Sequence, residues 1–342
     1  MDESTATLPA IPGKRGLFPL GHRPRAILLA IIVLLLLLAA AIYLSKEAPP
    51  EAARLLPESD AVVYLDLAPI RAAANFGAHP VQHDPEYQHF IDATGIQFER
   101  DLDQAAFALH RMDNPLGPNG LVAYSSIFVG KFDRTRLASY LETIAQSKEE
   151  YAGHQIYNIP IEGRTDRVAI LSSTIVAVSN APTAEQIHSI LDRHRNAFLP
   201  FAGNTLLAQR YSEVPALSTA WGIGKLAIGL GNDFKIFGFS LPLSTSATFI
   251  ASARWSGVLN LRIEEIAPNS TAATLSADSL AALLNIAKTA ENTLPNAIAN
   301  PDTKTLLNSI AIDHRNDRAT VTATIPPELI RQLTQSPKPA SR

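Results

Sequence analysis

One short segment of the chain carries residue types that bind metal ions. Within AHPVQHDPEYQH the candidate ligands are His79, His83, Asp84 and His89. Imidazole nitrogens and carboxylate oxygens at short spacing are ligands that zinc and other divalent ions take. The segment is therefore a candidate metal site, and with it comes the alternative function of a metal-dependent hydrolase. The favoured interpretation is a solvated polar loop, since two prolines interrupt the segment and no recognised ligand spacing is met.

A second segment, residues 222–243, combines glycines with large apolar side chains. Its apolar positions alternate with small residues and are Phe237, Phe239, Leu241 and Leu243. Alternation with a period of two places all four on one face of a strand. That face is predicted either to pack between two parts of the protein or to bind a lipid or a partner protein, since large exposed apolar patches mark binding sites.

The remaining motifs argue against catalysis and nucleotide binding. The glycines around Lys225 lack the first glycine and the Ser/Thr of a P-loop, which would cradle a phosphate and bind magnesium. The chain also has no GxSxG, SxxK or HExxH motif. We therefore predict no catalytic residue and no cofactor.

Composition narrows the function classes further. The chain has 342 residues, 46% hydrophobic and only 18% charged, which excludes a disordered polyelectrolyte. It contains no cysteine, which excludes a disulfide scaffold, a thiol nucleophile and cysteine zinc sites. Its net charge of -3 predicts no nucleic-acid partner, since such binding needs concentrated positive charge.

The elements that must position these segments begin with an apolar run. Residues 26–44 read AILLAIIVLLLLLAAAIYL without one charged side chain. About 20 apolar residues in a helix cross the hydrocarbon core of a bilayer. The cations that precede the run are Lys14, Arg15, Arg23 and Arg25. Because cations are retained on the cytoplasmic side, residues 1–25 are predicted to be a cytoplasmic tail and the rest to be translocated.

This interpretation predicts a single-pass protein of the inner (cytoplasmic) membrane whose bulk is periplasmic or extracytoplasmic. The alternative is a cleaved signal peptide, with Ala39-Ala40-Ala41 as the cleavage site. The run exceeds the usual h-region of about 7–15 residues, which favours an uncleaved anchor. Residues 45–56, with two adjacent prolines, are predicted to be a short linker.

Beyond residue 56 the hydrophobic period switches repeatedly between two and 3.6. Four times a strand, a turn, a second strand and a helix follow one another. Asp133, for example, precedes the amphipathic segment RTRLASYLETIAQ and is predicted to cap a helix there. Closely spaced strand pairs form antiparallel hairpins.

The four units fall into two halves, residues 57–200 and 212–335, each introduced by a further strand. We therefore predict an α+β fold of mainly antiparallel sheets with helices on one face, formed by two duplicated hairpin–helix halves. The similarity between the halves lies in pattern and not in residue identity. Chance alternation in an α+β chain is the alternative.

Four sequence segments resemble bacterial single-pass membrane-anchored proteins that are classed as a domain of unknown function. They read LPESDAVVYLDLAPIR, GKFDRTRLASYLE, YAGHQIYNIP and VAVSNAPTAEQIHSILD, and they lie between residues 56 and 192. The resemblance implies an envelope location and an unassigned role, and it supplies no active site. Two functions are thus predicted: a non-enzymatic module that binds an envelope protein or an apolar ligand, and, as the alternative, the metal-dependent hydrolase.

Overall fold

Fourteen strands lie in the part of the chain that the computed structural model describes, residues 48–74, 83–196, 204–225, 235–236, 239–240, 246–293 and 301–329. They are β1 (Ala61–Asp66), β2 (Leu102–Arg111), β3 (Val122–Gly130), β4 (Ser147–Tyr151), β5 (His154–Ile161), β6 (Arg164–Ile170), β7 (Ile175–Ser179), β8 (Ala220–Gly224), β9 (Lys235–Ile236), β10 (Phe239–Ser240), β11 (Thr248–Trp255), β12 (Leu259–Ile266), β13 (Ala311–Arg315) and β14 (Arg318–Ile325).

The helices connect and cover these strands. They are α1 (Glu51–Arg54), α2 (Leu67–Ala74), α3 (Pro85–Thr94), α4 (Phe98–Asp101), α5 (Arg134–Ile144), α6 (Glu185–Arg195), α7 (Thr205–Arg210), the 3-10 helix Tyr211–Glu213, α8 (Ser270–Thr293) and α9 (Pro301–Ser309).

Twelve of the strands form one sheet in the order β13-β14-β12-β11-β8-β1-β2-β3-β7-β6-β5-β4, and every neighbouring pair is antiparallel. The predicted α+β fold with antiparallel pairing is therefore confirmed. The four predicted hairpins are all present, because each joins strands that are adjacent in both sequence and space. They are β2–β3, β6–β7, β11–β12 and β13–β14.

The two predicted halves meet in this single sheet and do not form one sheet each. The strands that introduce the halves, β1 and β8, pair with each other at its centre, from Ala61 opposite Gly224 to Leu65 opposite Ala220. Outward from this pair the first half has β2, β3, β7 and β6, and the second half has β11, β12, β14 and β13 in the matching positions. In each half the inner hairpin keeps its chain order and the next hairpin is reversed. The first half carries an additional outer hairpin, β4–β5.

Helices cover both faces of the sheet in the first half, so the prediction of helices on one face was wrong. One face, here the α6 face, buries Ile127 and Ala177 against Ile187 of α6. The other, the α5 face, buries Val176 against Leu141 of α5. The cause is visible in β7, IVAVS, where consecutive apolar residues supply both faces of an inner strand.

The predicted linker differs from the structure where the structure describes it. Glu51–Arg54 forms α1, and both of its alanines are fully buried. Leu55 and Leu56 follow it into the same core cluster as α6. The apolar residues of EAARLL therefore anchor the start of the folded unit on the sheet.

The chain divides into two units, Met1–Ala48 and Pro49–Arg342, and the sheet belongs to the second. Among the described residues, none of the helices combines the length and the hydrophobicity that crossing a bilayer requires. The predicted membrane segment, residues 26–44, lies outside the described residues, so it stays a prediction.

Candidate functional site

The predicted metal ligand His83 forms an ion pair with a carboxylate. Its Nε2 lies 2.7 Å from Oε1 of Glu99 in α4, and its Nδ1 lies 3.3 Å from Oε1 of Gln88. The hydrogen bond to Glu99 raises the pKa of His83. Burial opposes ionisation of Glu99, but hydrogen bonds from its own backbone N–H, from Tyr87 and from His83 bring its pKa below the usual value.

Tyr87 links the same carboxylate to the backbone of α4. Its hydroxyl donates to Oε2 of Glu99 at 2.8 Å and accepts from the backbone N–H of Phe98 at 2.6 Å. Burial, the largest cause, raises the pKa of Tyr87 to about 12. The ring of Tyr87 also stacks on Phe98, with centroids 5.1 Å apart. Tyr87 thus fastens α3 to α4, and His83, just before α3, binds the same carboxylate.

The other predicted ligands have separate roles or positions. Asp84 caps α3, because its Oδ1 accepts from the backbone N–H of Tyr87 at 2.8 Å. His89 is exposed on α3, and its ring lies edge-on to Tyr140 at 6.4 Å. In the described part of the chain, no three His, Cys, Asp or Glu side chains come together as a metal site. His79 lies outside the described residues, so the four-residue set and the hydrolase stay predictions.

The predicted apolar segment is described only in part. Phe239 begins β10, which pairs with β9 as a separate two-stranded sheet, Phe239 opposite Ile236. Phe237, Leu241 and Leu243 lie outside the described residues. The assignment of this segment to a core or to a binding surface therefore stays a prediction.

The strand register creates an apolar row that the sequence analysis did not identify. The row begins beside the central pair of Val63 and Gly222 and runs outward across the second half on the α5 face of the sheet. Its members lie directly opposite one another on β11, β12, β14 and β13. They are Ala251, Ile263, Val321 and Ile312, here called the apolar row.

Exposure distinguishes this row from its counterpart in the first half. Ile263 lies on the third strand from the centre of its half and is 43% exposed. The matching position in the first half is Ser126 on β3, because Val63 lies opposite Phe107 and Phe107 lies opposite Ser126. Ser126 is only 1% exposed. A polar residue is therefore buried where its large apolar counterpart is open to solvent. This inversion of the usual burial preference marks the second half as a candidate binding surface.

The opposite face of the same strands carries a network of charges. Arg318 donates to Glu213 and to Glu264, both at 2.6 Å, and Arg262 donates to the other oxygen of Glu264 at 2.8 Å. Burial opposes ionisation of Glu264, but the hydrogen bonds from the two arginines bring its pKa below the usual value. Because successive side chains of a strand point to opposite faces, Ile263 lies on the α5 face of the sheet and Glu264 on the α6 face. The network fixes the 3-10 helix to the sheet and leaves the apolar row on the other side.

One sequence signal for the apolar row was present in β12. Leu259, Leu261 and Ile263 alternate with polar residues in LNLRIEEI, which is typical of a half-buried strand. The alternation does not say whether the apolar face is covered. That information comes from the neighbouring strands and helices.

Fold and site together define an α+β protein with one large antiparallel sheet and a partly exposed apolar face in its second half. No family model and no curated protein matches the sequence. Among solved structures, crystal form III of TP0453 is similar, with a TM-score of 0.48 and 10% identity over 83% of this chain and 97% of that one. Crystal form I of TP0453 gives a TM-score of 0.42 and 12% identity over 84% and 97%. Similarity at this level defines neither a family nor a function.

Proposed function

We propose that this chain is a membrane-anchored extracytoplasmic protein that binds another envelope protein or an apolar ligand without catalysing a reaction. Residues 26–44 would hold it in the inner membrane, and the apolar row would be its contact surface. The observation that carries the proposal is Ile263, 43% exposed in the middle of a continuous sheet. A side chain of this size in an inner strand is normally buried, so its exposure fits a surface that a partner covers.

Further exposed apolar side chains in the same half support this assignment. Leu275 and Ile286, both on α8, are 59% and 50% exposed. This helix packs against β13 and β14, the strands that carry Ile312 and Val321. Covering such surface is favourable by about 25 cal/mol per Å² of apolar area removed from water. The second half thus offers a driving force for association.

The two halves are proposed to descend from one duplicated hairpin–helix unit. The matching strand order on either side of β1 and β8 supports this origin. Under it, the first half kept two covered faces, and the second half diverged toward an open apolar face. The proposal explains why the same sheet position is buried at Ser126 and exposed at Ile263.

A photo-reactive amino acid at position 263 tests the contact surface directly. In the full-length chain in its native membrane, we expect it to form a discrete cross-linked product with a protein or a lipid. The control is the same residue at position 262, because Arg262 is also exposed but lies on the opposite face of β12. Equal products from both positions, or none from position 263, would contradict the proposed surface.

A substitution at the same position separates binding from folding. Ile263→Thr keeps a β-branched side chain and should change the free energy of unfolding by about 0.5 kcal/mol or less, as exposed positions do. Ile127→Thr, on β3 and fully buried, should cost about 2–4 kcal/mol, because it removes apolar packing and buries a hydroxyl. We expect a partner identified by cross-linking to bind the Ile263→Thr chain more weakly.

The proposed topology has its own test. A reporter that is active only outside the cytoplasm, fused after Arg342, should be active, because the cations before residue 26 hold the N-terminus inside. Exchanging the four preceding cations for neutral residues should lower that activity. A cytoplasmic reporter that is active at the same fusion point would reverse the localisation.

A further inference from the structure

The tip of the outer hairpin β4–β5 rests on α6 through two pairs of rings. The hairpin turns at Ala152 and Gly153, whose φ angles of 51° and 79° are those of a two-residue turn. Tyr151 and His154 flank this turn and lie opposite each other. Tyr151 stacks on His188, with centroids 3.9 Å apart and planes 8° apart. His154 lies edge-on to His194, with centroids 5.6 Å apart.

The Tyr151–His188 contact is surrounded by carboxylates. Nε2 of His188 lies 2.8 Å from Oε1 of Glu149 in β4. The Tyr151 hydroxyl donates to Oδ2 of Asp192 at 2.9 Å, and the other oxygen of Asp192 accepts from Arg195 at 3.1 Å. These contacts hold the end of β4 on α6 through Glu149 and Tyr151, and they are here called the anchor.

The His154–His194 contact has the opposite environment. Nδ1 of His154 is buried and has no hydrogen-bond partner among the described residues. Burial, and after it the neighbouring His154, lower the pKa of His194, while Glu51 of α1 opposes them. Arg193 and Arg195 flank His194 on its own helix and are paired with Glu58 and Asp192. A proton added to His194 would place a positive charge against the ring of His154, and Glu51 is the carboxylate that opposes the lowering of the His194 pKa.

We propose that the β4–β5 tip is a proton-sensitive latch, in which protonation of His194 releases His154 and the turn from α6 while Tyr151 and Glu149 stay in contact with His188. Release would uncover the rings of His154 and His194 at the outer edge of the sheet. The proposal does not depend on the binding surface of the second half, which lies at the opposite end of the strand order.

The direction of the pH effect follows from the two states of His194. In the released tip its pKa returns toward the usual value of about 6.5. In the docked tip its pKa is lower, so the docked tip binds fewer protons. Docking is therefore complete above about pH 6.5 and weakens as the pH falls through and below that value.

Hydrogen exchange of the amides from Tyr151 to Gln155 tests the latch in the full-length chain in detergent. After correction for intrinsic exchange rates, protection should fall about two- to fivefold between pH 7.5 and 5.5, the range expected from a single charge pair. His194→Phe keeps an aromatic ring and removes the charge, so its protection should not depend on pH. Glu149→Gln, the matched change at the anchor, should retain the pH response.

Two results would overturn the proposal. One is protection that does not change with pH in the unmodified chain, and the other is the same loss in His194→Phe. If His194→Phe fails to fold, an NMR titration of the histidine rings in the unmodified chain decides the question. The proposal requires a pKa for His194 below about 6.5, and an ordinary or raised pKa there would contradict it.

Discussion

Gly224→Ala is expected to destabilise the protein by about 3 kcal/mol or more, because it would force apart the central pair of strands. A Cβ atom at Gly224 would lie 2.5 Å from Cα of Ala61 and 2.8 Å from the carbonyl oxygen of Asp60. These are backbone atoms of β1 and of the residue before it, so no flexible side chain can move aside. Because β1 and β8 join the two halves, both halves should lose stability together in denaturant unfolding.

Gly222→Ala, on the same strand, is the matched control. Its added Cβ would lie 3.6 Å from the carbonyl oxygen of Val62 and 3.7 Å from Cγ2 of Val63, which are ordinary contacts. Alanine is more favourable than glycine within a strand by about 0.5–1 kcal/mol, so this change should be neutral or slightly stabilising. Similar losses for the two variants would show that glycine at position 224 is not required by the close approach of Ala61.

Leu141→Ala is expected to cost about 2–5 kcal/mol of unfolding free energy. Leu141 of α5 is 4% exposed and packs in the cluster that contains Val168, Ile170 and Val176 of the sheet. Truncation would leave a cavity under the helix, since strands β6 and β7 are held in place by the sheet. Thermal or denaturant unfolding measures the loss.

Ile144→Ala, three residues later on the same helix, should change stability by much less. Ile144 shares the apolar face of this amphipathic helix with Leu141, yet it is 38% exposed. The helix ends at Ile144, and Ala145 turns into an extended conformation, which carries this last side chain off the sheet. A cost at position 144 as large as that at 141 would contradict this description of the end of α5.

Local patterns gave the hairpins and the helix starts because the interactions that form them lie within a few residues. Asp133 accepts from the backbone N–H groups of Thr135 and Arg136, both at 3.0 Å, as the sequence predicts for a cap. α8 begins at a cap of the same kind, where Asn269 accepts a 2.9 Å hydrogen bond from the backbone N–H of Ala272. Polar strands such as SKEEY of β4 were missed because they carry no apolar period.

The candidate site was less accessible to sequence reasoning. The spacing of His83 and Asp84 made both of them candidate metal ligands. It could not show that His83 would pair with Glu99 or that Asp84 would cap α3. The ring pairs of the β4–β5 tip were missed for the same reason. Tyr151 and His188 are 37 positions apart (188 − 151), and only the folded chain makes them neighbours.

The sequence by itself determined the α+β class, the antiparallel hairpins and the apolar periods, since each depends on side chains within one or two turns of chain. The tertiary structure decided that β1 pairs with β8, that helices cover both faces of the first half, and that Ile263 is exposed while Ser126 is buried. Burial of apolar surface favours pairing between distant strands, and the entropy of closing the loops between them opposes it. The strands pair in the arrangement with the best balance of the two. That balance is a property of the whole chain, and no local pattern contains it.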